Sequence, residues 1–248
     1  MSSVPKNMLI LDSVDSTNNY AMALIQKREI EGEIAVFAKE QTHGKGRRGK
    51  HWQSNKGENI ILSVVAQMQW LPVSRQFELS VAASLSCYDL LSTYNLANLF
   101  IKWPNDLFIN DSKAGGILIE NVIKGKIWQW SVIGMGLNIN QDKFHTELSG
   151  ATSLKLSTGK SFDVIRLAAA LHGHLIRRIE GLKAGNFKEM LEDYYALLYG
   201  RGKRVRLKSQ GRELETTLIE VTWQGELVTR DVVERKFLFD EVEFRGLV

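Results

Sequence analysis

Gly44-Lys45-Gly46-Arg47-Arg48-Gly49-Lys50-His51-Trp52 puts two guanidinium forks and two ammonium groups on a backbone broken by three glycines. Such a segment can wrap donor N–H groups around an anion and stabilise charge that develops there. Its spacing matches G-x-G-x-x-G, and also G-x-x-x-x-G-K followed by His51, one residue short of a phosphate loop. Neither chemistry fits. A dinucleotide turn needs a helix directly after it, and His51-Trp52-Gln53-Ser54-Asn55-Lys56-Gly57 is not helical in pattern. A phosphate loop needs a hydroxyl where His51 stands. What remains is a basic loop suited to a compact anion such as a phosphoanhydride. A phosphodiester loop with Trp52 stacking a base is the competing functional reading, and a solvated surface loop is the plain one.

Three further segments could carry chemistry. Lys102-Trp103-Pro104-Asn105-Asp106-Leu107 presents a lysine, an amide and a carboxylate where Pro104 interrupts strand pairing, so Asn105 and Asp106 are expected on a bend. They could hold a phosphate, a magnesium ion or an amine; an ordinary Asn-Asp turn explains the hexamer equally well. Lys113-Ala114-Gly115-Gly116 stands at an expected strand start, where paired glycines allow a ligand close to the backbone, or simply form a bulge. Gly134 to Asn140 joins small residues at a strand end to the amide of Asn138. Upstream, Ser16-Thr17-Asn18 reads first as a helix cap, although its hydroxyls and amide also suit an uncharged carbonyl or ureido group. His172 and His174 are two apart on a helix and make no metal pair. Cys87 falls in a core-like helix and is expected to be inert.

The elements that must position these residues can be read from periodicity. Residues 8–11 form a short apolar run, and an amphipathic stretch follows the Ser16 region to about Lys27. Ile34–Ala38 and Asn59–Met68 read as strands, the second one buried. Phe77–Leu91 has apolar residues at helical spacing. Short strands are expected at Leu99–Lys102, Leu107–Ile109 and Gly116–Ile123, then a Lys124-Gly125 hairpin turn into Lys126–Met135. Helices are expected near Asp163–Glu180 and Phe187–Leu198. After Gly200 the pattern becomes alternation punctuated by Ser209-Gln210-Gly211 and Gln224-Gly225. The expected fold is α+β: a mixed, largely antiparallel sheet with flanking helices over residues 1–199, plus a small SH3-like β-barrel over residues 200–248.

Composition bounds the class. The chain has 248 residues, 44% hydrophobic and 24% charged, with one cysteine, which excludes a disulfide framework and an all-thiolate zinc site. No apolar run reaches the ~18 residues of a membrane span, and the apolar stretch before Asp12 is too short for a secretory signal. A cytoplasmic location is expected. The net charge is +4, yet Lys39, Lys45, Arg47, Arg48, Lys50 and Lys56 against Glu40 make one short window +5, so the rest is −1. A nucleic-acid coat would spread its bases over a face. Six bases without paired acids in one segment read instead as a local grip.

Taken together, Ser16-Thr17-Asn18, the loop Gln41 to Trp52, Lys102 to Leu107, Lys113 to Leu118 and Gly134 to Asn138 resemble the motifs of the biotin protein ligases, in that family's order. The resemblance covers roughly residues 10–200, and the C-terminal segment is similar to the family's SH3-like domain. It implies a fold related to class II synthetase catalytic domains and an AMP-forming biotin–[acetyl-CoA-carboxylase] ligase using ATP, Mg2+ and biotin. Such an enzyme makes biotinyl-5′-AMP and passes biotin to a lysine of a biotin carboxyl carrier domain of a biotin-dependent carboxylase.

By this resemblance Ser16, Thr17, Asn18, Gln41, Gly44, Lys45, Gly46, Arg47, Trp52, Lys113 and Gly116 bind biotin, and Arg48, Lys50, Asn105, Asp106 and Asn138 serve ATP. Arg47, Lys102, Asp106 and Lys113 are the catalytic candidates. Magnesium is expected mainly on the ATP phosphates, with no protein ligands assigned. Lys45 and Lys50 stand where many relatives carry arginine, and Phe144 is the aromatic candidate to cover adenine. Some relatives carry a winged helix that binds DNA. Only 15 residues precede Ser16 here, so neither DNA nor membrane is an expected partner, and a homodimer stays open. A lipoate-type acyl ligase and a non-catalytic single-stranded nucleic-acid-binding protein are the alternatives.

Overall fold

The structure, a computed structural model, describes residues 4–145 and 150–248. Its first unit is a seven-stranded sheet made of β1 (Met8–Leu11), β2 (Ile34–Ala38), β3 (Ile60–Gln67), β4 (Leu99–Lys102), β5 (Asp106–Ile109), β6 (Ser112–Lys124) and β7 (Ile127–Leu137). The strand order is β1-β2-β3-β7-β6-β5-β4. Only β1 and β2 run parallel; every other pair is antiparallel. The expected mixed, largely antiparallel sheet is therefore present. β3 sits near the middle and is buried up to Gln67, which explains its unbroken apolar run.

The sheet's two faces are covered differently. Helices α2 (Gln76–Ser92), α4 (Val164–Lys183) and α5 (Phe187–Ala196) pack on one face, where Leu62, Val64, Leu85, Ile133, Met135 and Leu171 share the main core. Here α2 packs against β4, β5 and β6 and against both α4 and α5, and is buried on most sides. Asp163 caps α4 by accepting from the Arg166 N–H at 3.1 Å. The opposite face receives only α1 (Thr17–Gln26), whose Ala21 meets Val36, Val65 and Val132 in a second, smaller core. Helix α1 covers only part of that face. The sheet beyond its N-terminus is left for the site.

Several expectations needed adjustment. Strand β6 begins at Ser112, not Gly116, so Lys113, Gly115 and Gly116 lie inside the ladder, opposite a bulge between Leu107 and Phe108. Asp106 is also in the ladder, paired with Lys102 on one side and Gly116 on the other. Only Trp103, Pro104 and Asn105 form the bend, because a three-residue connection leaves Asp106 free to start β5. The short helix α3 (Leu154–Thr158), capped by Ser153, was not anticipated.

The second unit is an antiparallel sheet of β8 (Arg204–Ser209), β9 (Arg212–Val221), β10 (Leu227–Arg230), β11 (Glu234–Phe237) and β12 (Val242–Leu247), in the order β11-β10-β9-β8-β12. Where a small barrel was expected, the strands form this antiparallel sheet, with β11 and β12 at its two ends. The β8–β9 turn uses Gln210 at φ +48° and Gly211 at φ +78°, left-handed values that the turn residues tolerate. The sheet is fastened to the first unit by Trp103, whose indole donates to Gly225 O at 3.0 Å. Tyr199 adds a second tie: its ring packs among Phe100, Phe108 and Phe244, and its hydroxyl donates to Asp111 at 2.6 Å.

Candidate active site

Two rows across the sheet make the floor of a cavity of about 460 Å³. In the first row Ser63 of β3 pairs with Gly134 of β7, and Gly134 with Leu118 of β6. In the second row Ile61, Gly136, Gly116 and Asp106 run from β3 through β7 and β6 to β5. Alternation along each strand puts both rows on the α1 face, ~7 Å apart. The glycines hollow out that face. A Cβ on Gly134 would collide with Asn18 Oδ1, and one on Gly136 would stand 2.6 Å from the Trp52 indole. Gly116 leaves space for Asp106 and Lys113, 3.3 and 3.4 Å from where its Cβ would be. Small residues are thus required here by close approach.

The first row ends in uncharged hydrogen-bonding groups. Ser16, Thr17 and Asn18 are buried at the start of α1. The expected Ser16 cap is absent: its side chain makes no capping bond, and the Thr17 N–H donates instead to Gln41 Oε1 at 2.8 Å. Thr17 Oγ1 lies 3.1 Å from the same oxygen. Ser63 Oγ lies 2.7 Å from Thr17 Oγ1 and donates to Asn18 Oδ1 at 2.6 Å. Gly44 does not line the cavity; a Cβ there would meet the Trp52 carbonyl and stand 2.8 Å from Gln41 Nε2, so it lets the loop pass.

The second row is charged. Lys113 Nζ is 2.7 Å from Asp106 Oδ1 and 6.0 Å from the Trp52 ring centroid. Lys102 stands between the rings of Phe108 and Phe244, 4.6 and 4.8 Å from their centroids. Burial there pulls its ammonium below the ordinary lysine range; Asp106 opposes the shift and Lys113 adds to it. Asn105 donates to Ile117 O at 2.6 Å and accepts from Arg47 at 3.3 Å, so one amide ties the basic loop to the sheet. The Asn138 amide donates to Thr152 O at 3.0 Å.

The basic loop folds over this end. Lys45 bridges His51, and Arg47–Gly49 form a single tight turn with Arg48 at φ +55°. Arg47 stacks on Phe239 at 4.1 Å, and burial, then its neighbour Arg48, pulls its pKa below the ordinary arginine value. Arg48 donates to Phe239 O at 2.7 Å, pinning the loop to the β11–β12 connection. Lys50 lines the cavity, as does Phe144. Trp52 Nε1 is buried with no partner among the described residues, leaving a donor in the cavity wall.

One expectation about this loop is overturned. Lys39 and Lys56 both pair with Asp12, Lys56 is also 3.8 Å from Glu40, and Lys45 is 3.7 Å from Glu120. Half of the six bases therefore have acids supplied by distant segments that sequence spacing could not reveal. Arg47, Arg48 and Lys50 have no acidic partner within 4 Å among the described residues.

Thus Ser16, Thr17, Asn18, Gln41, Lys45, Gly46, Arg47, Arg48, Lys50, Trp52, Lys102, Asn105, Asp106, Lys113, Gly116 and Asn138 all border one cavity. Sequence reasoning missed Ser63, though a lone hydroxyl inside the apolar run Ile60–Ala66 was a signal, since a buried polar group needs a partner. It also missed Phe239, Glu243 and Phe244 of the second sheet, which complete the wall and carry no local motif. Among the described residues no group of three or more His, Cys, Asp or Glu side chains could hold a metal ion. His172 instead contacts Glu33 at 2.7 Å, while His174 lies against Arg177.

Comparison with known proteins agrees with this geometry. Residues 10–138 match the family model described as the biotin/lipoate A/B protein ligase family. The chain is 30% identical over 242 residues to the bifunctional ligase/repressor BirA of Escherichia coli, covering 97% of this chain and 74% of that protein. It is 31% identical over 186 residues to the biotin–[acetyl-CoA-carboxylase] ligase of Mycobacterium tuberculosis, covering 74% of this chain and 67% of that one. The fold superimposes on a biotin protein ligase from Aquifex aeolicus, solved in complex with biotin and ATP, with a TM-score of 0.83. That match covers 98% of this chain and all of the other, at 23% identity. With more than half its length matching the family model, and 97% of it aligned with a relative 30% identical, the chain belongs to the biotin/lipoate A/B protein ligase family.

Proposed function

We propose that this protein is an AMP-forming biotin–protein ligase acting on a biotin carboxyl carrier domain. One observation carries the reading: a single cavity has an uncharged hydroxyl–amide floor at one end and a cluster of cations at the other. Trp52 and the glycines of β6 and β7 form an apolar slot between them. Biotin has the same order of groups. Its ureido ring takes donors and acceptors from Ser16, Thr17 and Gln41, its apolar body lies along Trp52, and its carboxylate reaches Lys113 and Arg47.

In the first step a biotin carboxylate oxygen attacks the α-phosphorus of ATP. The bond from that phosphorus to the bridging oxygen breaks, and pyrophosphate leaves with the electron pair. A carboxylate approaching a polyphosphate is repelled by it. One cation ~4 Å away offsets ~4 kcal/mol at an effective dielectric of 20, before desolvation is counted. Lys113, Arg47 and Lys102 supply that offset, and ATP carries its magnesium chiefly on its own phosphates. In the second step the neutral amine of a carrier lysine attacks the acyl carbon. The acyl–oxygen bond breaks, AMP leaves, and the amine loses its extra proton, with Asp106 placed to accept it. Residues 1–199 act as the catalytic unit, and residues 200–248 close the nucleotide end through Phe239, Glu243 and Phe244.

A lipoate-type ligase would pair this floor with a dithiolane, which has no groups to satisfy buried hydroxyls and amides. Nucleic-acid binding loses its main support once half of the basic segment is internally paired. The test is ATP–pyrophosphate exchange with and without biotin, beside a thermal-shift comparison of biotin with lipoate. Biotin-dependent exchange and a biotin-specific shift are expected. Exchange that ignores biotin, or a shift with lipoate alone, overturns the reading.

A further inference from the structure

Ser63 ends the first row of the floor, covered there by Thr17 and Asn18, and Glu120 lies just outside the cavity; both are tied to residues that line it. Glu120 follows Leu118 by two positions on β6, and its backbone pairs with Val132 where α1 covers the sheet. Its Oε2 accepts from Asn18 Nδ2 at 2.7 Å, and its Oε1 is 3.7 Å from Lys45 Nζ. The same Asn18 nitrogen reaches toward Leu118 O at 3.4 Å. Asn18 is 3% exposed and Ser63 is fully buried, so neither can turn to water for a partner.

Counting protons fixes the direction of every bond in this group. A carboxylate and a backbone carbonyl only accept, so Asn18 must present its nitrogen to Glu120 and Leu118. Its Oδ1 then faces Ser63, which must donate to it. Ser63 has one proton, so its oxygen is left to accept from the Thr17 hydroxyl at 2.7 Å. Gln41 Oε1 is held by the Thr17 N–H, which turns Gln41 Nε2 outward as a donor. The Thr17 hydroxyl has one proton, and the shorter contact to Ser63 at 2.7 Å takes it rather than Gln41 Oε1 at 3.1 Å, so the Thr17 oxygen is left as an acceptor. A cyclic urea has one carbonyl acceptor and two N–H donors, so it needs both kinds of group in fixed places.

We propose that Glu120 is a positioning residue for substrate recognition: through Asn18 and Ser63 it fixes the direction of the Thr17 hydroxyl, which is left as an acceptor at the ureido end of the cavity. This deepens the biotin reading and rests on it. Replacing the carboxylate with an isosteric amide lets Asn18 present either atom, and the chain loses its single direction. An alternative origin for any effect is the Lys45 contact, which involves the same carboxylate but not Ser63.

The experiment measures KM for biotin and kcat in ATP–pyrophosphate exchange, with calorimetric titration of biotin into the same proteins. Glu120→Gln should raise KM and Kd for biotin about tenfold while kcat falls less than twofold, the loss of one charge-assisted hydrogen bond. Ser63→Ala should do the same, and the double variant should be no worse than either single one, since both break one chain. Asn18→Asp alone should bind biotin worst, because two carboxylates then face each other. Combining it with Glu120→Gln restores a donor opposite an acceptor and should recover most of the affinity. Additive losses for Glu120→Gln and Ser63→Ala, an unchanged biotin KM in Glu120→Gln, or no recovery in the swapped pair overturns the network. Absence of biotin-dependent exchange in the unaltered protein overturns the biotin reading, and the network with it.

Discussion

Replacing Lys113 with methionine keeps an unbranched apolar stem and removes the ammonium group. Lys113 Nζ lies 2.7 Å from Asp106, with Lys102 and Arg47 as the other cations of that end. The variant therefore loses a donor at the carboxylate–phosphate junction and also frees a carboxylate from its nearest cation. Losing one preorganised donor costs about 10²–10³ in rate, ~2.7–4 kcal/mol. The unpaired Asp106 adds repulsion against an incoming carboxylate and phosphate, so the upper part of that range is expected for adenylation. Adding Asp106→Asn removes the repulsion without restoring the donor, and should recover about tenfold in biotin-dependent ATP–pyrophosphate exchange. Transfer from preformed biotinyl-adenylate to a carrier domain separates the steps. There the double variant should stay slow, because Asp106 is placed to take the proton from the attacking amine. Near-normal exchange in Lys113→Met would refute the role given to this ammonium, and a double variant slower in exchange than the single one would refute the repulsion argument.

Arg47→Gly removes both the stack on Phe239 and the contact to Asn105, so the loop should hold the adenylate less well while Lys45 and Arg48 keep partial synthesis. The released mixed anhydride should then biotinylate a bystander such as albumin above the wild-type level, read by blotting; no adenylate at all, or no excess labelling, counts against a retention role. Gly136→Ala puts a methyl group 2.6 Å from the Trp52 indole and should cost about 1–3 kcal/mol of stability or displace the ring, weakening biotin binding in calorimetry; unchanged affinity and melting would contradict the close packing. Burial pushes the Cys87 thiol from 9.0 up to about 12, so the folded state holds a proton that the unfolded chain gives up above pH 9. The thiol's contribution to stability is thus complete below pH 9 and is lost as pH rises toward 12. Unfolding free energies of wild type and Cys87→Ala should keep a constant difference below pH 9 and shift in the variant's favour above it, and a difference that stays flat up to pH 11 would be inconsistent with a buried thiol.

Local sequence carried the elements because their causes are local. The buried run Ile60–Gln67, the helical spacing from Phe77 to Leu91 and the turn residues Lys124-Gly125 and Gln210-Gly211 each declare themselves within a few positions. The motif residues were legible for a related reason: glycine, lysine and asparagine at strand ends are costly or idle unless something approaches the backbone. What the sequence did not declare was pairing across distance. Asp12, 27 and 44 residues away, takes Lys39 and Lys56, and Glu120 takes Lys45 and Asn18, so a segment that looked uniformly basic is half neutralised. Gln41, not Ser16, satisfies the start of α1 because the parallel β1–β2 pairing carries the chain back beside it. The second sheet supplies Phe239, Glu243 and Phe244 with no motif at all, since a wall needs only shape and proximity. Residue types and spacing determined which groups could do chemistry here. Only the register of β3, β7, β6 and β5, with α1 and the basic loop folded over it, decided that the uncharged groups gather at Ser63 and Gly134 and the charged ones at Gly116 and Asp106.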